Sequence, residues 1–89
     1  MDNNVLEGWR AQIDEFDNEL LQTLSKRMAV VRNIGKFKKT HGMTALNEKR
    51  WQKVLKSKLS KASSLNLSKK FIKKLYDHIH QYSLKIEQL

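Results

Sequence analysis

Cysteine and proline are absent from the 89 residues, and glycine occurs only three times. Without cysteine there is neither a disulfide framework nor a thiolate metal site. Without proline, and with so little glycine, the usual helix breakers are missing and the composition favours long helices. Long hydrophobic runs are missing as well: no stretch approaches the roughly 20 apolar residues of a membrane span. The opening Met1-Asp2-Asn3-Asn4 has no basic region leading into an apolar run. No signal peptide is therefore expected, and a soluble cytoplasmic protein is the default. A chain this short makes one domain at most, here taken as residues 1–89. Its core must be small, so oligomerisation is a natural source of further stability.

What the chain has in excess is positive charge. The net charge is +9, which suits an anionic partner: a nucleic acid, a membrane surface or a small polyanion. Lysine outnumbers arginine 14 to 4, so lysine serves wherever any cation will do. The four arginines, Arg10, Arg27, Arg32 and Arg50, stand out against that background. Arginine presents a planar fork for two-point contact with carboxylate or phosphate, and lysine does not.

Apolar spacing predicts an all-α chain of one long and two shorter helices. Leu6, Trp9, Ile13, Phe16, Leu20, Thr23, Arg27, Val30, Ile34 and Phe37 alternate steps of three and four. This is a sustained helical stripe from about Val5 to about Thr40. Such a helix spans roughly 50 Å at about 1.5 Å per residue, more than two short helices can cover. A second chain is implied. His41-Gly42 supplies a stop, with Gly42 suited to the left-handed position after a helix. The second helix is expected from an Asn47 cap to about Lys61, with Trp51, Val54, Leu55, Leu59 and Ala62 on its apolar face. Ser63-Ser64-Leu65-Asn66 reads as a loop. Ser68 then caps a third helix carrying Phe71, Ile72, Leu75, Ile79, Tyr82 and Ile86 on one face.

At about 100° per residue, Arg27 and Lys38 fall near the middle of the first helix's apolar stripe. A cation in an apolar seam is costly unless an anion meets it, and few carboxylates share that face. One reading is structural: Lys38 snorkels at a frayed helix end and Arg27 forms an ion pair. The sharper reading is a polar cavity awaiting an anionic ligand. Ser83 and Glu87 are spaced i, i+4 at the edge of the third helix's apolar face and project together. A pocket between the first and third helices would combine Arg27, Lys38, Ser83 and Glu87. Other chemistries find no support. His41, His78 and His80 lack metal-ligand spacing and read as solvent-facing or turn residues. No phosphate loop, nucleophile elbow or paired-carboxylate site is visible.

Five segments carry a family resemblance. Leu6 to Asp17 resembles an opening LxxxRxxIDxxD pattern, and Leu20-Leu21 followed by Ser25-Lys26-Arg27-Met28 resembles an LL…xxRM segment. Ile34-Gly35-Lys36-Phe37-Lys38 resembles IGxxK. Glu48-Lys49-Arg50 with Val54-Leu55 resembles a second-helix signature, and Ile79 to Glu87 resembles a closing IHxxSxxIQ. In this order and spacing, over about Leu6 to Glu87, the chain resembles the small helical chorismate mutases. That resemblance implies three helices per chain exchanged into an intertwined six-helix homodimer with two sites. It implies a pericyclic rearrangement of chorismate to prephenate in aromatic amino-acid biosynthesis, with no cofactor and no metal. Catalysis then consists of binding a compact dianionic transition state and stabilising charge at the breaking ether oxygen. By resemblance, Arg27 and a partner chain's Arg10 hold the two carboxylates. Lys38 and Glu87 donate hydrogen bonds to the ether oxygen, Glu87 in its protonated form. Arg50 and Ser83 support the carboxylate end.

Two departures bear on the substrate. The mutases carry Asp where this chain has Asn47, and Glu where it has Trp51. In the family these acids help recognise the ring hydroxyl. Asn47 and Trp51 would therefore face the substrate without that recognition, unless Trp51 serves the core beside Val54 and Leu55. The related isochorismate-pyruvate lyases and the mutases of aminated chorismate become rivals. A non-enzymatic reading is a basic helical dimer on nucleic acid. Lys36, Lys38, Lys39, Lys49, Lys53, Lys56, Lys58, Lys69, Lys70, Lys73 and Lys74 would then touch phosphates. Against it, these lysines are scattered over several helices and no DNA-reading motif appears.

Overall fold

A computed structural model describes residues 2–89. Three helices follow one another: α1 Asp2–Thr40, α2 Glu48–Ser64 and α3 Lys69–Gln88. The expected all-helical class and the three-helix count hold. Helix α1 begins at Asp2, three residues earlier than the apolar stripe announced. The described residues form two compact units, the first ending at Val30 and the second running Val31–Leu89.

The helix ends follow from local chemistry. At the end of α1 the Met43 N–H donates to the Lys38 carbonyl at 2.8 Å and the Gly42 N–H to Lys39 at 3.4 Å. This paired return requires a left-handed residue after the helix, and Gly42 supplies it at φ 65°. Helix α2 ends in the same way, with Leu67 N–H on Ala62 O at 2.9 Å and Asn66 N–H on Ser63 O at 3.3 Å. Asn66 takes the left-handed position at φ 59°, which asparagine tolerates better than most residues. The turn thus sits at 65–67, and Ser63 and Ser64, read as loop in the sequence, belong to α2. Both expected caps are in place. Asn47 Oδ1 accepts from Arg50 N at 3.1 Å, and Ser68 Oγ accepts from Phe71 N at 3.2 Å.

Within the second unit α2 packs on α3. The core is small: Val31, Ala62, Ile72 and Ile86 are buried together with Ser83. Ala62, at 2% exposure, is the most enclosed of these, and its lone methyl lets neighbours approach closely. The expected α2 face is turned inward, with Trp51, Val54, Leu55 and Leu59 half-buried. Helix α3 corrects its expected face. Its inward line runs Ile72, Tyr76, Ile79, Ser83, Ile86, while Phe71, Leu75 and Tyr82 stand exposed. The helix is apolar over a wider arc than this chain alone covers.

The first unit is helical throughout its described residues, and its apolar stripe is open. Leu6, Trp9, Ile13, Phe16 and Leu20 are all exposed, Phe16 at 62%. A contiguous stripe of this size marks an interaction face.

Candidate functional site

The site is clearest where the end of α3 meets the last turns of α1. Lys38 Nζ lies 2.7 Å from Glu87 Oε1, with only 16% and 11% of the two side chains exposed. The same ammonium donates to the Ala45 carbonyl at 2.6 Å. Lys38 therefore ties the α1–α2 connection to α3, and it is not a frayed cation reaching for water. Glu87 Oε1 is buried and, despite the ion pair, accepts no hydrogen bond of good geometry. A buried carboxylate oxygen in this state has capacity for a further partner.

Ser83 lies one turn before Glu87 on α3 and is 7% exposed. Its hydroxyl donates to the Ile79 carbonyl at 2.7 Å, a bond back to the preceding turn that serine commonly makes inside helices. The expected Ser83/Glu87 pair thus faces inward. Lys38 and Asn47 line one open hollow of about 540 Å³, walled by the 42–49 segment. Asn47 is committed by its side chain to capping α2.

Trp51 is half-buried and stacks flat on His80, with ring centroids 3.9 Å apart and planes at 8°. His80, expected from sequence to face solvent or a turn, is instead half-buried on α3. Neither spacing nor composition signalled the pair, because it joins residues 29 positions apart. His41 does lie at the turn, stacked on Phe37 at 3.9 Å.

The arginines are dispersed. Arg50 is exposed at the start of α2. Arg27 is half-buried on α1 within the first unit. Arg10 is exposed and paired with Glu7 at 2.8 Å, one turn back on the same helix. Such an exposed i, i+3 pair is weak and leaves the guanidinium available to a better partner.

Gly35 belongs to the IGxxK-like segment of α1. It is buried, and a side chain there would collide with the backbone of Glu87. The sequence signal was a glycine in the interior of a long helix, where it weakens the helix unless something requires it. Among the described residues no group of His, Asp and Glu could hold a metal ion, and no helix is long and apolar enough to cross a membrane.

Known proteins resemble this chain at low identity. A T-protein of Haemophilus influenzae is 27% identical over 89 residues, covering 91% of this chain and 24% of that protein. The chain thus spans about a quarter of that relative's length. A 4-amino-4-deoxychorismate mutase of Streptomyces venezuelae is 28% identical over 88 residues, covering 99% of this chain and 85% of its own. No solved structure matches significantly. The family model described as chorismate mutase type II matches residues 9–88, from Trp9 at the start of the apolar stripe to the last residue of α3, and the chain belongs to that family.

Proposed function

We propose that this chain rearranges chorismate to prephenate as a homodimer, with Lys38 and Glu87 at the breaking ether bond. The family membership gives the reaction class. The observation that carries the site is the nearly buried Lys38–Glu87 pair, whose carboxylate oxygen lacks a well-formed hydrogen bond. In the rearrangement one C–O bond breaks as one C–C bond forms, within a single molecule and without proton or electron input. Negative charge grows on the ether oxygen. The Lys38 ammonium, fixed by Ala45, and a protonated Glu87 are the donors for that oxygen. Arg27 and the partner chain's Arg10 hold the carboxylates, supported by Arg50 and Ser83. For Ser83 this requires its hydroxyl to leave Ile79.

Two observations support the dimer. The open α1 stripe is too long for one small chain to cover. Charge is also divided along the sequence: residues 2–25 carry six acids and one cation, whereas residues 48–75 carry ten Lys or Arg and one acid. An acidic arm and a basic hairpin on the same chain suit reciprocal docking of two copies, in which each arm brings its Arg10 to the other's site. The α2 and α3 lysines that a nucleic-acid reading would use are then the hairpin side of that contact and a field that steers a dianion.

A second reading rests on Trp51. It stacks on His80 where the family has a carboxylate for the ring hydroxyl, and the relative that covers 99% of this chain is a 4-amino-4-deoxychorismate mutase. The aminated substrate is therefore the rival. The test is direct: incubate the purified protein separately with chorismate, 4-amino-4-deoxychorismate and isochorismate, and identify products by mass spectrometry. Prephenate from chorismate supports the first reading, and an amino-prephenate alone supports the second. Pyruvate from isochorismate makes the chain a lyase.

A further inference from the structure

We propose that Gly35 is a positioning residue for the Lys38–Glu87 pair, a role that rests on reading this pair as part of the active site. Glycine inside a helix is destabilising relative to alanine, so its place within α1 needs a reason. A Cβ on Gly35 would stand 2.8 Å from both the Cα and the carbonyl oxygen of Glu87 and 3.2 Å from its carbonyl carbon. These are backbone atoms in the last turn of α3, and no rotamer change can clear them. At Gly8 and Gly42 an added Cβ meets nothing within 4 Å, so close approach is the requirement at Gly35 alone.

Gly35 and Lys38 are three residues apart on α1 and share a face. The face that admits the Glu87 backbone therefore also presents the ammonium. Lys38 is held from the other side by Ala45 O at 2.6 Å. If α3 backed away, Lys38 would stay with the 42–49 segment and the 2.7 Å pair would open. Ordinary contact begins at 3.4 Å, so a methyl group at position 35 displaces Glu87 by roughly 0.6 Å or more. Catalytic groups must be held within about 0.5 Å of their working geometry. The missing Cβ thus sets the depth at which Glu87 meets Lys38.

The experiment is Gly35→Ala in the full chain, read four ways. Helicity and dimer mass should be retained, because alanine favours α1 and only the last turn of α3 must move. With substrate, kcat should fall roughly 10- to 100-fold while KM changes little. In a Lys38→Met background the further loss from Gly35→Ala should shrink to less than about threefold, since the pair it positions is already broken. Without substrate, the NMR signal of the Lys38 ammonium should move toward its position in Glu87→Gln, and that of the Glu87 carboxyl toward its position in Lys38→Met.

Unchanged signals from the pair, or a loss of the same size in both backgrounds, overturn the proposal. Loss of the fold makes Gly35 a packing requirement and overturns it too. Glu87→Asp then gives an independent check with glycine in place. It withdraws the carboxyl by one methylene and should lower kcat as Gly35→Ala does; full activity would show that depth is immaterial. If the native protein rearranges none of the substrates, the active-site reading fails while the NMR arm still decides whether Gly35 sets the pair.

Discussion

Glu87 Oε1 lies 2.7 Å from Lys38 Nζ, yet this buried oxygen accepts no hydrogen bond of good geometry. The two groups are close enough to attract and poorly aligned to bond. The oxygen keeps capacity for a partner beside the pair. An ionised carboxylate can only accept, and an ether oxygen offers only lone pairs, so Glu87 contributes to the rearrangement only with a proton on it.

The first prediction follows from that requirement. Glu87→Ala, which offers no donor at all, should lower kcat by about 100-fold or more. Glu87→Gln presents an amide donor in its place and should keep turnover within about tenfold of the native value. Native turnover in Glu87→Ala would remove Glu87 from the mechanism.

Arg27 carries the second. Arg27→Lys keeps the charge and loses the two-point fork. A charge-assisted hydrogen bond is worth about 1.5–3 kcal/mol, so kcat/KM should fall about 10- to 100-fold, with thermal stability nearly unchanged. If stability drops and activity per folded molecule does not, Arg27 is a structural ion pair.

Much of this was legible in the sequence because helices have a fixed period. The three-and-four spacing from Leu6 to Phe37, the Asn47 and Ser68 caps and the Gly42 stop are local signals, and each produced the element it announced. The IGxxK-like segment and the i, i+4 spacing of Ser83 and Glu87 pointed to Lys38 and Glu87, and α1 and α3 bring them together. Three things were not legible. The end of α2 lies beyond the expected Lys61 because the left-handed turn falls at Asn66, the last residue of the expected loop. Phe71, Leu75 and Tyr82 share the expected apolar face of α3 yet stand exposed, because periodicity reports an apolar arc and not how much of it one chain can cover. His80 was misplaced because its partner, Trp51, lies on another helix, and no local pattern encodes a stack between helices.

Assembly provides the third prediction. With Trp9, Ile13, Phe16 and Leu20 open on α1, and Phe71, Leu75 and Tyr82 open on α3, the chain should sediment as a dimer at micromolar concentration. The charge division adds a signature. Screening shortens from about 10 Å at 0.1 M salt to about 3 Å at 1 M, so the dimer should weaken as sodium chloride rises. Phe16→Glu should shift the population to monomer at any salt and abolish activity, since Arg10 would no longer reach a second chain. A monodisperse active monomer would defeat both the dimer and the shared site.

Trp51 offers the last and most discriminating prediction. Its ring lies flat on His80 at 3.9 Å, half-buried, so it contributes to packing between α2 and α3 whatever else it does. Trp51→Ala should therefore cost about 1 kcal/mol for the stack, plus the lost burial, and lower the melting temperature. Trp51→Phe should restore most of that, because a phenyl ring can still stack. Function separates from packing at Trp51→Glu. A carboxylate accepts a hydrogen bond from a ring hydroxyl, whereas an indole can only donate through its N–H. A buried hydroxyl left poorly matched costs about 1–3 kcal/mol, so native turnover of chorismate should be about one or two powers of ten below that of Trp51→Glu, compared per folded molecule. Turnover by Trp51→Phe should track the native protein, since neither ring supplies the acceptor. If Trp51→Glu instead falls in step with its stability, and native turnover is already fast, Trp51 is a packing residue and the ring substituent is read elsewhere.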